Sequence, residues 1–255
     1  MSHRHHHRIT GSEYHLRRCY ILRHSHALFW LSLLLVTYTL NRICCIFGLP
    51  ADGQHHTYLG HCRNLSDLIL LGFIQAWFVE VVDGAGRTDR MLSSRWFIPL
   101  FLLSGPVFAG LGMVPWFDFA IESGSAAPCV LLVVGGTAIA AIIVYHLFLA
   151  REVLFTRRDI LAYTFSRLGT VGILSAMYIL IQSESTDRGQ AKLHLHHYFI
   201  AWVLSLFAAF DSAVSLGFLA ITGGVFVQGI AAYSAASMFY RTGDLPCPEY
   251  SSLVT

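Results

Sequence analysis

Seven apolar stretches of this sequence, most of them about 18 residues or longer, dominate what it can fold into. Their approximate bounds are Ala27 to Leu49, Asp67 to Val82, Trp96 to Val114, Pro128 to Ala150, Asp159 to Gln182, Leu193 to Phe210 and Ala213 to Phe239. Crossing a hydrocarbon core of ~30 Å takes about 20 helical residues, and in lipid a lone segment must satisfy its backbone internally, which a helix does. Apolar residues make up 55% of the chain and charged ones only 13%, far from the makeup of a soluble domain. The expected fold is therefore all-α, a polytopic membrane protein with a bundle of about seven transmembrane helices. The first stretch is too long for a signal-peptide core and lacks a cleavage site, so it reads as a signal anchor. The second, about 16 residues, is the shortest.

Lysine and arginine set the orientation. With the N-terminus cytoplasmic, eleven of the seventeen fall inside, namely five in the tail plus Arg87, Arg90, Arg95, Arg151, Arg157 and Arg158. Four fall outside: Arg63, Arg188, Lys192 and Arg241. This bias predicts a cytoplasmic N-terminus and, with seven spans, an outside C-terminus. The sequon Asn64-Leu65-Ser66 falls outside, as it should, although close to a span. The tail sequence Tyr250-Ser251-Ser252-Leu253 looks like a cytoplasmic sorting signal, which would instead require the last two spans to be a re-entrant hairpin. The chain divides into a basic, histidine-rich tail (1–26), read as disordered or an appended tag, a transmembrane domain (27–240) and a short C-terminal tail (241–255). The expected partner is the lipid bilayer of the plasma membrane or an endomembrane. A net charge of +2 with scattered arginines gives no basis for nucleic-acid binding.

Six of the fourteen histidines face the outside. His55, His56 and His61 lie in the first outer loop, and His194, His196 and His197 open the sixth span. On a helix His194 and His197 share a face, so two imidazoles could converge on one ion. Imidazole suits zinc, copper or iron, and the competing reading is interface anchoring by half-buried rings. Haem is not favoured: His146 lies near the level of His24 and His26, and His61 and His197 could supply a second pair on the other side, but none lies well inside the apolar zone. Asp211 follows His197 by 14 residues, about 21 Å along a helix, so it is no fourth ligand. It is expected to cap the seventh span, where Asp211 and Ser212 precede Ala213.

Within the spans, Arg167 must either pair with Glu80 at nearly matching depth or snorkel to the surface. Gln228 lies among small-xxx-small pairs such as Ala220 and Gly224, which predicts a helix-packing seam, with a substrate-contacting amide as the alternative. Gly136 and Ala140 suggest that the fourth span is the seventh's neighbour, and such faces also suit homo- or hetero-oligomers. Six cysteines without a CxxC pair give no disulfide framework or cysteine-rich zinc site. The only lysine, Lys192, is in a loop, which excludes a retinal Schiff base in the seventh span. GxSxG, HExxH, P-loop and dinucleotide fingerprints are absent, and the two halves of the chain show no repeat.

The runs HLHHYFIAW and GGVFVQGIAAY resemble the C-terminal membrane region of fungal multi-pass proteins with an LCCL domain. The likeness covers under a fifth of the chain, and the loop from Pro50 to Ser66 is too short to hold such a domain. It implies a shared scaffold with an outer histidine cluster and no particular activity. The expected function is binding or transport of a metal or small ligand at the outer histidines. The alternatives are an assembly subunit without its own activity and a membrane-embedded metalloenzyme.

Overall fold

The computed structural model of the chain describes residues 24–50, 56–83, 87–113, 126–154, 156–184, 197–210 and 212–234. Among them are eight helices: α1 (His24–Ile46), α2 (Tyr58–Asp83), α3 (Arg87–Ser93), α4 (Phe97–Gly112), α5 (Ala126–Val153), α6 (Arg157–Glu184), α7 (His197–Phe207) and α8 (Ala213–Tyr233). Each of the seven apolar stretches coincides with one helix, and α3 is an eighth, short element before the third. The architecture is all-α and that of a polytopic membrane protein. By length and apolarity four helices can cross a membrane: Ser25–Ile46 of α1, Gly135–Val153 of α5, Arg157–Met177 of α6, and α8. A fifth span arises if α3 and α4, bent by 82°, are taken together. Large apolar side chains such as Leu28, Val36, Leu70, Leu103, Phe148, Phe165 and Ile173 stand exposed. A soluble monomer seldom carries so much exposed apolar surface, whereas lipid covers it readily.

Local chemistry sets the helix ends. The amides of Gly48 and Leu49 bond the carbonyls of Cys45 and Cys44, with Gly48 at φ 78°. This is the Schellman closure, which favours glycine because a Cβ disfavours positive φ. At the start of α8, Ser212 is the N-cap, and its hydroxyl accepts from the amide of Ser215 at 3.1 Å. Asp211, the residue expected to cap this helix, lies outside the described residues.

The core is built on α8, whose residues from Thr222 to Ala232 are all buried. It packs against α4, α7 and α1, and α2 closes the other side of α1 and α7. Glycine permits these approaches. A Cβ at Gly224 would overlap Ser104 Oγ and the Phe101 carbonyl of α4, and one at Gly229 would overlap the ring of Tyr198 on α7. The seventh stretch therefore seats its small residues on the third, and not on the fourth as expected. The Gly136 and Ala140 face of α5 is exposed, with nothing within 4 Å of a Cβ at Gly136. Helices α5 and α8 meet lower down, where His146 stacks on Phe218 at 5.4 Å.

Contacts also fix relative directions. Helix α2 meets α1 through Tyr38 and His61 at one end and through His26 and Glu80 at the other, so the two are antiparallel. Phe101 lies beside Gly224 and Gly105 beside Gln228, which makes α4 and α8 parallel. Trp202 Nε1 donates to the Leu71 carbonyl, and Arg167 bridges the carbonyls of Phe78 and Leu206, which makes α2 and α7 parallel. Arg42 donates to the Ala231 carbonyl, joining the C-terminal ends of α1 and α8. Stretches one, three and seven thus run one way, and two and six the other.

Candidate functional site

Polar side chains are buried along the whole length of this core. Glu80 follows His61 on α2 by 19 positions, about 28 Å of helix, close to the ~30 Å thickness of a hydrocarbon core.

At one end of the core, Tyr38 Oη and His61 Nδ1 are hydrogen-bonded at 2.9 Å, and the His56 ring meets His61 edge-on at 5.6 Å. Burial, then the Arg42 guanidinium, hold the His61 imidazole below its ordinary pKa. A neutral Nδ1 can accept the Tyr38 proton, and a protonated one cannot. The contribution to stability is therefore fully present above about pH 6.5 and is lost as pH falls through the depressed folded value. We expect the melting temperature to drop between about pH 7 and pH 5, less steeply in His61→Gln. Parallel curves for the two proteins would exclude His61 as the cause.

The other histidines expected on this side do not all fall within the described residues. His197 is exposed and stacks on Phe108 at 4.8 Å, with Tyr198 and Tyr233 edge-on at 5.7 and 6.2 Å. His55, His194 and His196 lie outside the described residues. Among the described residues no three His, Cys, Asp or Glu side chains come together as metal ligands. His56 and His61 make a pair, and Nδ1 of His61 is already engaged by Tyr38.

Below them, Asn41 Oδ1 and Gln228 Cβ flank Gly105, 2.7 and 2.8 Å from where a Cβ would stand. Gln75 Nε2 lies against Gly223, five residues, or about 7.5 Å, nearer the start of α8. Asn41, Gln75 and Gln228 are at most 2% exposed. Asn41 Oδ1, Gln228 Oε1 and both polar atoms of Gln75 find no hydrogen-bond partner among the described residues. Each such atom costs about 1–3 kcal/mol in a protein interior, so an apolar core would be more stable here. Ser104, between them, is satisfied by the carbonyls of Phe101 and Ala220.

Charge collects at the opposite end of the core. Glu80, 2% exposed, accepts at Oε1 from the amide and hydroxyl of Thr88. His26 lies beside it, with Nδ1 at 3.9 Å from Oε1, and on its other side Nε2 is 3.3 Å from Asp89 Oδ1. Arg87 donates to the Ala208 carbonyl and to Ser215 Oγ. The anticipated pair of Arg167 with Glu80 does not form. Arg167 donates instead to the carbonyls of Leu206, Tyr163 and Phe78 at 2.7, 2.8 and 3.1 Å, and its guanidinium stacks on Tyr163 at 3.7 Å. Tyr163 Oη adds a bond to the Phe207 carbonyl. Arg167, Tyr163 and Arg87 thus satisfy the last carbonyls of α7, where a helix ends short of partners and carries partial negative charge. His146 turns Nδ1 to the Ile142 carbonyl, and its ring lies tilted against those of Phe210 and Phe218.

Asn41, Gln75 and Thr88 are not singled out in the sequence; His26 enters there only beside His146, and Arg87 only in the charge bias. Asn41 and Gln75 carry the same signal that marked Gln228, an amide inside an apolar run. Arg87 and Thr88 sit in a short polar connection, where nothing marks them as buried. No protein-family model matches the chain, and no curated protein or solved structure matches it.

Proposed function

We propose that the chain is a seven-span membrane protein with a cytoplasmic N-terminus that binds or transports a small polar or ionic species through its core, with the outer histidines at the entrance. The reading is carried by the unpartnered amide atoms of Asn41, Gln75 and Gln228 in the middle of the bundle. Buried polar groups in membrane helices are expensive, and where they persist they commonly mark a path or a site. The alternating helix directions and the excess of arginine on one side support seven crossings and their orientation. Whether a metal passes the entrance is tested at His55, His56, His61, His194, His196 and His197 together, since imidazole suits zinc, copper or iron.

The test is flux into sealed vesicles carrying the purified protein and, separately, dyes for zinc, protons and potassium. We expect entry of one of these above protein-free vesicles, reduced about tenfold or more in Asn41→Leu combined with Gln228→Leu, and a change in ion preference when the six histidines become alanine. No flux for any probe would overturn transport. It would favour the second reading, an assembly subunit, which rests on the exposed small-residue face of α5 from Gly135 to Ala141 as a docking surface for another helix.

A further inference from the structure

His26 and Glu80 lie at the end of the bundle that carries Arg87, Arg90 and Arg95, and their arrangement has a direction. Asp89 is at the surface, its side chain 60% exposed, while the side chains of His26 and Glu80 are 3% exposed. The imidazole stands between the two carboxylates, with Nε2 toward Asp89 and Nδ1 toward Glu80. His26 Nδ1 and Glu80 Oε2 have no hydrogen-bond partner among the described residues. At 3.9 Å, Nδ1 and Oε1 are one water or one small rotation from a hydrogen bond.

We propose that Glu80 and His26 form a proton-binding site, loaded from the Arg-rich face through Asp89. A proton delivered by Asp89 adds to Nε2 of a His26 that carries its proton on Nδ1. The imidazolium then releases the Nδ1 proton to the Glu80 carboxylate, which leaves His26 neutral with its proton on Nε2, the tautomer that donates to Asp89. One proton enters and one is bound. Imidazole suits this step because its two nitrogens can take and give a proton on opposite sides near neutral pH. The hydroxyl and amide of Thr88 hold Oε1 in place, leaving Oε2 as the variable oxygen.

The charged groups acting on Glu80 come from two elements: His26 on α1, and Asp89 and Arg87 on α3. Helix α6 adds Arg167, bonded to the Phe78 carbonyl two residues away, and α7 and α8 offer the Ala208 carbonyl and Ser215 hydroxyl that hold Arg87. His26 is the one group among them placed to exchange a proton with Glu80 directly. The inference stands whether or not the core conducts.

Infrared difference spectra of the full chain in lipid discs, titrated between about pH 5 and pH 8, read the site without any transport assay. We expect a carboxyl C=O band that appears on acidification, disappears in Glu80→Gln, and survives in His26→Gln and Asp89→Asn. Its midpoint should move by about one pH unit in His26→Gln. A band unchanged in Glu80→Gln, or a midpoint that does not move in His26→Gln, overturns the proposal. If Glu80→Gln fails to fold, the midpoints of the wild type, His26→Gln and the surface change Asp89→Asn decide alone, and equal midpoints in all three refute it. A titrating Glu80 in a protein without flux would separate this site from the transport reading.

Discussion

Gly224→Ala is expected to lower stability by about 3 kcal/mol, the largest loss among glycine-to-alanine changes at the described residues. The added methyl would occupy the space of Ser104 Oγ and, more importantly, of the Phe101 carbonyl. A flexible side chain can turn away, but a backbone carbonyl moves only with its helix. Relief therefore requires α4 to shift off α8, which pulls apart the packing of Phe101, Ala220 and Phe226. It also strains the bond from Ser104 Oγ to the Ala220 carbonyl. Helix association in lipid depends on close packing of this kind because no hydrophobic force separates helix from solvent. Gly136→Ala is the control: with open space around it, the change should stay within about 0.5 kcal/mol of the wild type. Thermal melts of the two proteins in one detergent give the comparison. Equal melting temperatures would mean that the α4–α8 contact is looser than the glycines indicate.

The two glycines also illustrate what can be read from sequence and what cannot. Gly136 with Ala140 and Ala220 with Gly224 have the same spacing in equally apolar surroundings, so both read as packing faces. Which helix lies against each depends on the arrangement of the bundle, which spacing does not encode, and Gly224 met Phe101 while Gly136 met nothing. The helices were legible as apolar runs because a bilayer imposes a length on every crossing segment, and four of them, or five with the bent pair, are long and apolar enough to cross. The same positional logic groups the six histidines on one face in the sequence, and of these the structure describes His56, His61 and His197. Their proximity to one another was not legible: His61 is tied to Tyr38 and His56, whereas His197 rests on Phe108. The inner cluster depended on a chain bend. Arg87 and Thr88 become buried because α3 turns 82° into α4 and lies across the end of the core, a geometry with no signature in hydropathy.

Arg167→Lys should show that the depth of this charge was readable while its partner was not. Arginine at this position lies ten residues into α6, about 15 Å along the helix, too deep for the cation to be left unsatisfied. The sequence offers two remedies, a carboxylate at Glu80 or snorkelling to the surface. The chain instead aims the planar fork at three backbone carbonyls on three helices, two of which, Leu206 and Phe78, hold α7 and α2 together. Hydrogen bonds from a charged donor contribute about 1.5–3 kcal/mol each. Removing the fork in Arg167→Met should therefore cost about 3 kcal/mol or more. Lysine keeps the charge but concentrates its donors on one nitrogen at the end of a flexible stem, and it cannot span Leu206 and Phe78 while stacking on Tyr163. We expect Arg167→Lys to recover less than half of the loss, measured by melting at constant detergent. The exchange Arg167→Glu with Glu80→Arg gives the opposing test. A carboxylate cannot donate to the carbonyls of Leu206 and Phe78, and a guanidinium at Glu80 would face His26 and Arg87, so the double variant should be at least as unstable as either single one. Restored stability in that double variant, or full stability in Arg167→Lys, would show that charge alone, without the fork, anchors α6 to the core.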